Sequence, residues 1–255
     1  MKNKNTQPPT RLLAIFNASF WSIIRQGIIG VGLAIMSMTS FAGATSQDRF
    51  PYSDWAVEWW TWALETPVVL PDSHPGLDDG IVDCSIGQQG SVWYLAGKIF
   101  FGGKVRRNCS VPEKTTLFFP LYNSVYINFA TDPTLTPNFC KGFTHDSLKA
   151  LGEIKIKAWV DGRKVEDSDA HFEDSSIFSA QMIKPSLTES NLMAYLFGST
   201  ETEFPNWLAS ANCDFGWYKV VAPLSRGKHT IAWLVKSSTQ GVLQNVEYQI
   251  TVVAH

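Results

Sequence analysis

The sequence predicts a mainly β protein. The expected architecture is an antiparallel β-sandwich, immunoglobulin-like or jelly-roll-like, with an N-terminal amphipathic Trp-rich helix and short helical insertions. Three observations predict it. Ile154-Lys155-Ile156-Lys157-Ala158-Trp159-Val160 alternates apolar and polar residues with the period of a half-buried strand. His229–Val235 and Val246–Val253 repeat that pattern at the C-terminus. Only the segment from Ser53 to Leu64 places large apolar residues firmly at helical spacing, with Trp55, Trp59 and Trp62 at i, i+4 and i+7.

The first 44 residues are set apart before the fold is read. They hold Lys2, Lys4, Arg11 and Arg25 and no acidic residue. An apolar run from Ile28 to Met36 follows, then small residues ending in Ala42-Gly43-Ala44. A basic region, an apolar core and an A-x-A site are the marks of a secretory signal peptide cut after Ala44. After Arg25, about 17 mostly small residues precede the polar chain, short of the roughly 20 that a bilayer span needs. Residues 45–255 are therefore expected as one β-rich domain, secreted or periplasmic, with no membrane span once the signal is removed.

Along residues 45–255, Ser53 reads as an N-cap and Asp54 as a dipole partner for a helix over Asp54–Leu64, which ends before Pro67. Pro71 to Gly80 reads as loop. Ser91–Gly97, Thr115–Pro120 and Ser124–Phe129 read as strands, with Pro120 marking an edge or a kink, and Gly102-Gly103 as a hairpin signal. Asp132–Gly142 reads as loop, with a short helix starting at Thr144. After Val160, Asp161-Gly162 is a tight hairpin turn returning through Lys164-Val165. The acidic stretch Glu166–Asp174 reads as a solvated loop. Glu189–Phe197 has helical apolar spacing. Trp217–Ala222 is a strand, and Pro223–Gly227 a turn before the two alternating strands that end the chain.

Composition excludes several function classes. The chain is 45% hydrophobic and 17% charged, below the roughly 25% charged residues of an average domain but far too apolar for disorder. No internal repeat of solenoid or propeller length is present. Four of the 21 basic residues and none of the 23 acidic ones lie in the signal, which leaves a net charge of −6. An acidic surface has no general attraction for nucleic-acid phosphates or anionic lipid, so no nucleic-acid partner is expected.

All four cysteines, Cys84, Cys109, Cys140 and Cys213, follow the signal. An even number in an exported chain reads as two disulfides. Three connectivities are open. Cys84–Cys109, flanking one hairpin, with Cys140–Cys213, joining the middle to the C-terminal half, is the favoured one. A zinc site is not expected: there is no C-x-x-C and no histidine at ligand spacing.

Several strings have a collective likeness. They are Trp55-x-x-x-Trp59-Trp60-x-Trp62-x-Leu64, Gln89-Gly90-x-Val92-Trp93-Tyr94-Leu95-Ala96-Gly97 after Cys84, Arg107-x-Cys109-x-Val111-Pro112, and Leu117-Phe118-Phe119-Pro120-Leu121-x-Asn123. With Val160-Asp161-Gly162 and Pro223-Leu224-x-x-Gly227-x-His229-Thr230-Ile231, they resemble a family of uncharacterised secreted bacterial proteins with a Trp-rich helix and a β-rich body. The last 40 residues resemble the closing strands of an immunoglobulin-like sandwich. The family pattern V-P-x-G-K is broken here, because Val111-Pro112-Glu113-Lys114 lacks the glycine. The resemblance implies export and a β-rich fold, but no reaction and no site residue.

No catalytic signature stands out. G-x-S-x-G and H-E-x-x-H are absent, and Ser225-Arg226-Gly227-Lys228 matches S-x-x-K only inside a hairpin turn. His229 alternates with Ile231 and Trp233, as a satisfied, half-buried histidine would. Asp72, His74, Asp78, Asp79 and Asp83 crowd one loop. Their oxygens suit calcium, but not at EF-hand spacing, and a solvated acidic loop is the simpler reading. No metal and no cofactor are expected. The Trp stripe reads first as a packing face and second as a sugar-stacking platform. Glu58 sits among tryptophans, Trp60 lies off the stripe, and the loop bearing His74 and Asp78 can fold back over the helix end. These four residues are the candidate ligand site of a non-catalytic binding protein for carbohydrate or another cell-envelope ligand. A polysaccharide hydrolase or lyase, with Glu58 as general acid, and a structural or assembly protein of the envelope are the alternatives. N-terminal sequencing of exported material should begin at Thr45. Recovery of Lys2 in the exported form would refute the cleavage.

Overall fold

The computed structural model describes residues 50–99, 103–132, 134–166 and 170–254. The signal segment, Gly102 of the expected hairpin and Asp167–Asp169 of the acidic stretch lie outside them. The chain forms α1 (Tyr52–Glu65), β1 (Val68–Val69), β2 (Gly80–Ile81), β3 (Val92–Tyr94), β4 (Val105–Pro112) and β5 (Thr116–Tyr126). Then come α2 (Pro137–Leu151), β6 (Ile154–Val160), β7 (Arg163–Lys164), β8 (His171–Gln181), β9 (Glu189–Ser190) and α3 (Leu192–Phe197). It closes with β10 (Leu208–Val221), β11 (Gly227–Ser237) and β12 (Gly241–Val253). One sheet has the order β3-β5-β10-β8, the other β2-β4-β12-β11-β6-β7, and β1 pairs β9 separately. The two large sheets pack as a sandwich, and α1 covers the outer face of the four-stranded one. Most pairings are antiparallel. β3–β5, β2–β4 and β4–β12 are parallel.

α1 starts at Tyr52, directly after Pro51, with no side-chain cap. Ser53 is thus inside the helix and is not its N-cap. Asp54 stands in the first turn. Thr66 turns extended, at ψ 125°, because Pro67 disfavours helical backbone in the residue before it. The Trp stripe is a packing face. Trp59 and Trp62 are buried against Tyr94, Ala96, Phe118, Tyr218 and Val220. Their indole N–H groups donate to the carbonyls of Leu95 and Ile86, at 3.0 and 2.9 Å. Trp55 meets Phe118 edge-on at 5.6 Å.

β5 explains the run Leu117-Phe118-Phe119-Pro120-Leu121. Both of its faces are covered, so the run is apolar throughout instead of alternating. Phe118 faces α1, whereas Leu117, Phe119 and Leu121 face the six-stranded sheet. Pro120 lies inside one long strand and does not divide two. It is tolerated because β3 pairs only as far as Phe118, and the register with β10 slips between Trp217 and Tyr218. Between the sheets, Phe119 stacks on Trp233 at 4.8 Å, and Trp233 on Tyr248 at 5.9 Å.

Other expectations shift. β3 and β4 belong to different sheets, so the two strands form no hairpin. The loop expected up to Gly142 is already helical from Pro137, with Thr136 capping the Phe139 N–H at 3.2 Å. His171–Asp174, expected in a solvated loop, opens β8. Glu189 pairs with Val69, and the helix behind it spans only Leu192–Phe197. The Asp161-Gly162 hairpin forms as expected, with φ 50° and 74°. Lys114 adopts φ 66° in the turn before β5, so the turn that glycine would ease is made without it.

Cys84 bonds Cys109 and Cys140 bonds Cys213, with Cα atoms 5.7 and 6.0 Å apart. The first pins the loop after β2 to β4. The second pins α2 to β10. Among the described residues no helix is long and apolar enough to cross a membrane. Trp59→Ala should lower unfolding stability by about 3–5 kcal/mol in urea titration, and a variant that unfolds with the wild type would place that indole outside the core.

Candidate functional site

The loop after α1 is built around His74. The side chain is 2% exposed. Its Nε2 donates to the carbonyl of Ala63 at 3.1 Å, and its Nδ1 accepts from the Gly76 N–H at 3.0 Å. One nitrogen donating and one accepting defines a neutral imidazole. Burial holds its pKa down from 6.5 to about 4. Gly76 leaves room for the Ile99 side chain, which a Cβ there would meet at 2.7 Å. Asp78 closes the turn: Oδ1 accepts from the His74 N–H at 2.9 Å and Oδ2 from the Ser73 hydroxyl at 3.2 Å. Asp79 Oδ1 accepts from the N–H groups of Arg106 and Gly80, at 2.8 and 2.9 Å. The Arg106 N–H foremost keeps that carboxyl below its usual range.

This loop forms one wall of an open groove of about 580 Å³, lined by Asp72, Leu77, Asp78, Asp79, Tyr195 and Leu196. Tyr195 and Leu196 belong to α3, far away in sequence. Val68 and Val69 pair with Ser190 and Glu189, and the Leu70 N–H donates to Thr188 at 2.9 Å. That small sheet sets α3 beside the loop. Asn191 then caps α3 by accepting from the Ala194 N–H at 2.9 Å. Among the described residues no three or more His, Cys, Asp or Glu side chains are grouped to hold a metal ion.

Glu58 and Trp60 lie elsewhere. Glu58 is exposed and accepts from the Tyr94 hydroxyl at 2.5 Å. Trp60 is half-buried, and its Nε1 donates to Asp214 Oδ2 at 3.1 Å. The same oxygen accepts from the Tyr218 hydroxyl at 2.6 Å. Asp214 is 3% exposed on the face of β10 under α1. Burial pushes its carboxyl up from 3.8 to about 6, and Glu173 nearby adds to the rise. Glu173 meets His171 at 2.6 Å, and His171 stacks on Tyr52 at 4.1 Å. The four predicted residues thus fall into three hydrogen-bonded groups: Glu58 with Tyr94, Trp60 with Asp214, and His74 with Asp78. Of the four, Asp78 lines the groove. Of the other groove residues, the sequence singles out Asp72 and Asp79 only within the acidic loop and gives no signal for Tyr195. The buried Asp214 had one available signal, an aspartate between the apolar Cys213 and Phe215.

Two arrangements look catalytic. Asp214 and Glu173 form a carboxylate pair with one raised pKa, as acid catalysis needs. Asp214 is nevertheless engaged by two donors and covered by α1, so it serves as a seam. Ser225, His229 and Asp161 resemble a hydrolytic triad, with His229 Nδ1 2.8 Å from Asp161 Oδ2 and Nε2 3.4 Å from the Ser225 hydroxyl. His229 Nε2 lies closer, at 2.8 Å, to the Ser225 carbonyl. A carbonyl can only accept, so Nε2 carries a proton there and cannot take one from the hydroxyl. Asp161 raises the His229 pKa, as befits an imidazolium clasping a hairpin turn.

No protein-family model matches this chain, and no curated protein matches it.

His74 and Asp214 titrate in opposite senses over one pH range. His74 binds its proton more weakly in the fold, so its contribution is complete above 6.5 and is lost as pH falls toward 4. Asp214 binds its proton more tightly in the fold, so its contribution is complete below 3.8 and is lost as pH rises toward 6. Between about 4 and 6 the two slopes oppose each other. Asp214→Asn should remove one, so that stability rises with pH by about 1.4 kcal/mol per unit there. Urea midpoints measured across that range test it, and a variant as flat as the wild type would contradict the assignment.

Proposed function

We propose that this is an exported, non-catalytic binding protein for a neutral or cationic, hydroxyl-rich ligand of the glycan class. The groove beside α3 carries this reading. It brings Tyr195 into one lining with Asp72, Asp78 and Asp79. An aromatic face for sugar C–H groups and fixed acceptors for hydroxyls or an ammonium are what such a ligand requires. Asp78 and Asp79 are held by backbone N–H groups before any ligand arrives, which limits the ordering cost of binding. His74 supports this wall from behind, and the net charge of −6 after signal removal turns polyanions away. The basic and apolar leader and the two disulfides support export, as does the likeness to secreted bacterial proteins.

The assembly reading also has an observation in its favour. β8 is the outermost strand of its sheet, eleven residues long, with Phe172 and Ile177 exposed. A glycan array that includes amino sugars separates the two readings. On a glycan bound by wild type, Tyr195→Ala should weaken affinity about tenfold or more, and Tyr195→Phe should retain it. An array blank for wild type, together with self-association in sedimentation that Ile177→Lys abolishes, would establish assembly instead.

A further inference from the structure

Two turns stand side by side at the groove, and each carries exposed aliphatic side chains. In the first, Val69 and Ser73 close a reversal through Leu70-Pro71-Asp72, each N–H donating to the other's carbonyl, at 2.9 and 2.8 Å. In the second, the Ser186 N–H donates to the Glu189 carbonyl at 2.8 Å, around Leu187-Thr188. The Leu70 N–H, bonded to the Thr188 carbonyl, and the pairing of Val69 with Glu189 hold the two turns together. Leu187 is 98% exposed, Val69 45% and Leu70 39%, and Pro71 is exposed as well. A single exposed leucine needs no explanation, but four apolar residues on two joined tips form a surface.

The backbone donors of these tips are largely matched within the chain. The Ser186 hydroxyl oxygen accepts from the N–H groups of Thr188 and Glu189, at 3.3 and 3.1 Å. The N–H groups of Val69, Leu70, Ser73, Ser186, Thr188 and Glu189 are therefore all bonded internally, and Pro71 and Pro185 have none. In water such matching gains little. At a lipid interface an unmatched backbone donor is costly, so the matching counts there. A projecting apolar tip enters a fluid hydrocarbon boundary without needing a complementary hollow. The charges select the lipid. Segments 68–79 and 184–190 hold four carboxylates, Asp72, Asp78, Asp79 and Glu189, against one cation, Lys184. The Ser73 hydroxyl ties Asp78 to the first turn at 3.2 Å. Carboxylates at the tips repel an anionic surface and attract the ammonium of a zwitterionic headgroup. A second copy would bring the same carboxylates together.

We propose that Val69, Leu70, Pro71 and Leu187 form a docking surface for a bilayer of zwitterionic lipid, on which the protein rests peripherally. Asp72 shares the first turn and lines the groove, so docking brings the groove to the headgroups. Docking of this kind does not depend on what the groove binds.

The test is vesicle sedimentation of disulfide-bonded residues 45–255, a compact unit by themselves. Wild type should bind vesicles of phosphatidylcholine and phosphatidylethanolamine at millimolar lipid. Replacing a third of that lipid with phosphatidylglycerol should weaken binding at low salt. Leu187→Asp should lower the partition coefficient about tenfold or more, with an unchanged Tm, because the side chain it replaces lies in solvent. An array on which wild type binds no glycan, with vesicle binding that Leu187→Asp abolishes, would leave the docking surface standing and remove the glycan reading. No binding of wild type to the zwitterionic vesicles, equal binding by Leu187→Asp, or stronger binding to the phosphatidylglycerol vesicles would each overturn the proposal. So would a dimer in sedimentation that Leu187→Asp dissociates, since a second copy would then cover the tips.

Discussion

β5 is apolar on both faces, and the architecture follows from covering it. A strand with water on one side buries alternate residues. Leu117 to Tyr122 are buried without interruption, so each face needs its own layer. The six-stranded sheet supplies one with Trp233, Tyr248 and Ile231, and α1 the other with Tyr52, Trp59 and Trp62. At roughly 25 cal/mol per Å² of apolar surface removed from water, the large aromatic rings make this covering the main stabilising term. The low charge content of the sequence has the same origin: a three-layer protein of this length has much interior.

Polar groups left inside these layers sit where elements meet. Asp214 lies between α1 and β10, His74 between the end of α1 and the following loop, and Arg107 between that loop and the six-stranded sheet. Asp214 and Arg107 bond to elements distant in sequence and His74 to the helix before its loop, bonds that mispositioned elements would leave unmade. Such groups discriminate against wrong packings more than they add net stability. They also account for residues that appear functional from composition alone. A histidine and an aspartate in a loop can serve the loop.

The acidic loop shows how one segment carries both roles. Asp78 and Asp79 hold the backbone and also face a groove. The opposite wall comes from α3, more than a hundred residues later, because two residues of β1 pair with two of β9. That short pairing, together with Met193 of α3 packed in the cluster of Leu64, brings Tyr195 to the groove, so the candidate site draws on one of the smallest sheets in the molecule.

The β-rich class, the Trp helix, the Asp161-Gly162 hairpin and the three C-terminal strands were legible in the sequence, because each is set by local periodicity or turn chemistry. So were two disulfides, but not their connectivity: the favoured pairing forms although the hairpin expected between Cys84 and Cys109 does not. Pro120 inside a strand, β8 in place of an acidic loop, and the separation of β3 from β4 were not legible. Those outcomes depend on which strands lie alongside, and periodicity describes a strand only when one face is wet. The site divides in the same way. The sequence placed His74 and Asp78 in a chemistry-bearing loop, by composition. Tertiary structure decided that His74 is buried and neutral, that Trp60 points at Asp214, and that Tyr195 completes the groove, because burial and long-range pairing are properties of the assembled layers and of no single segment.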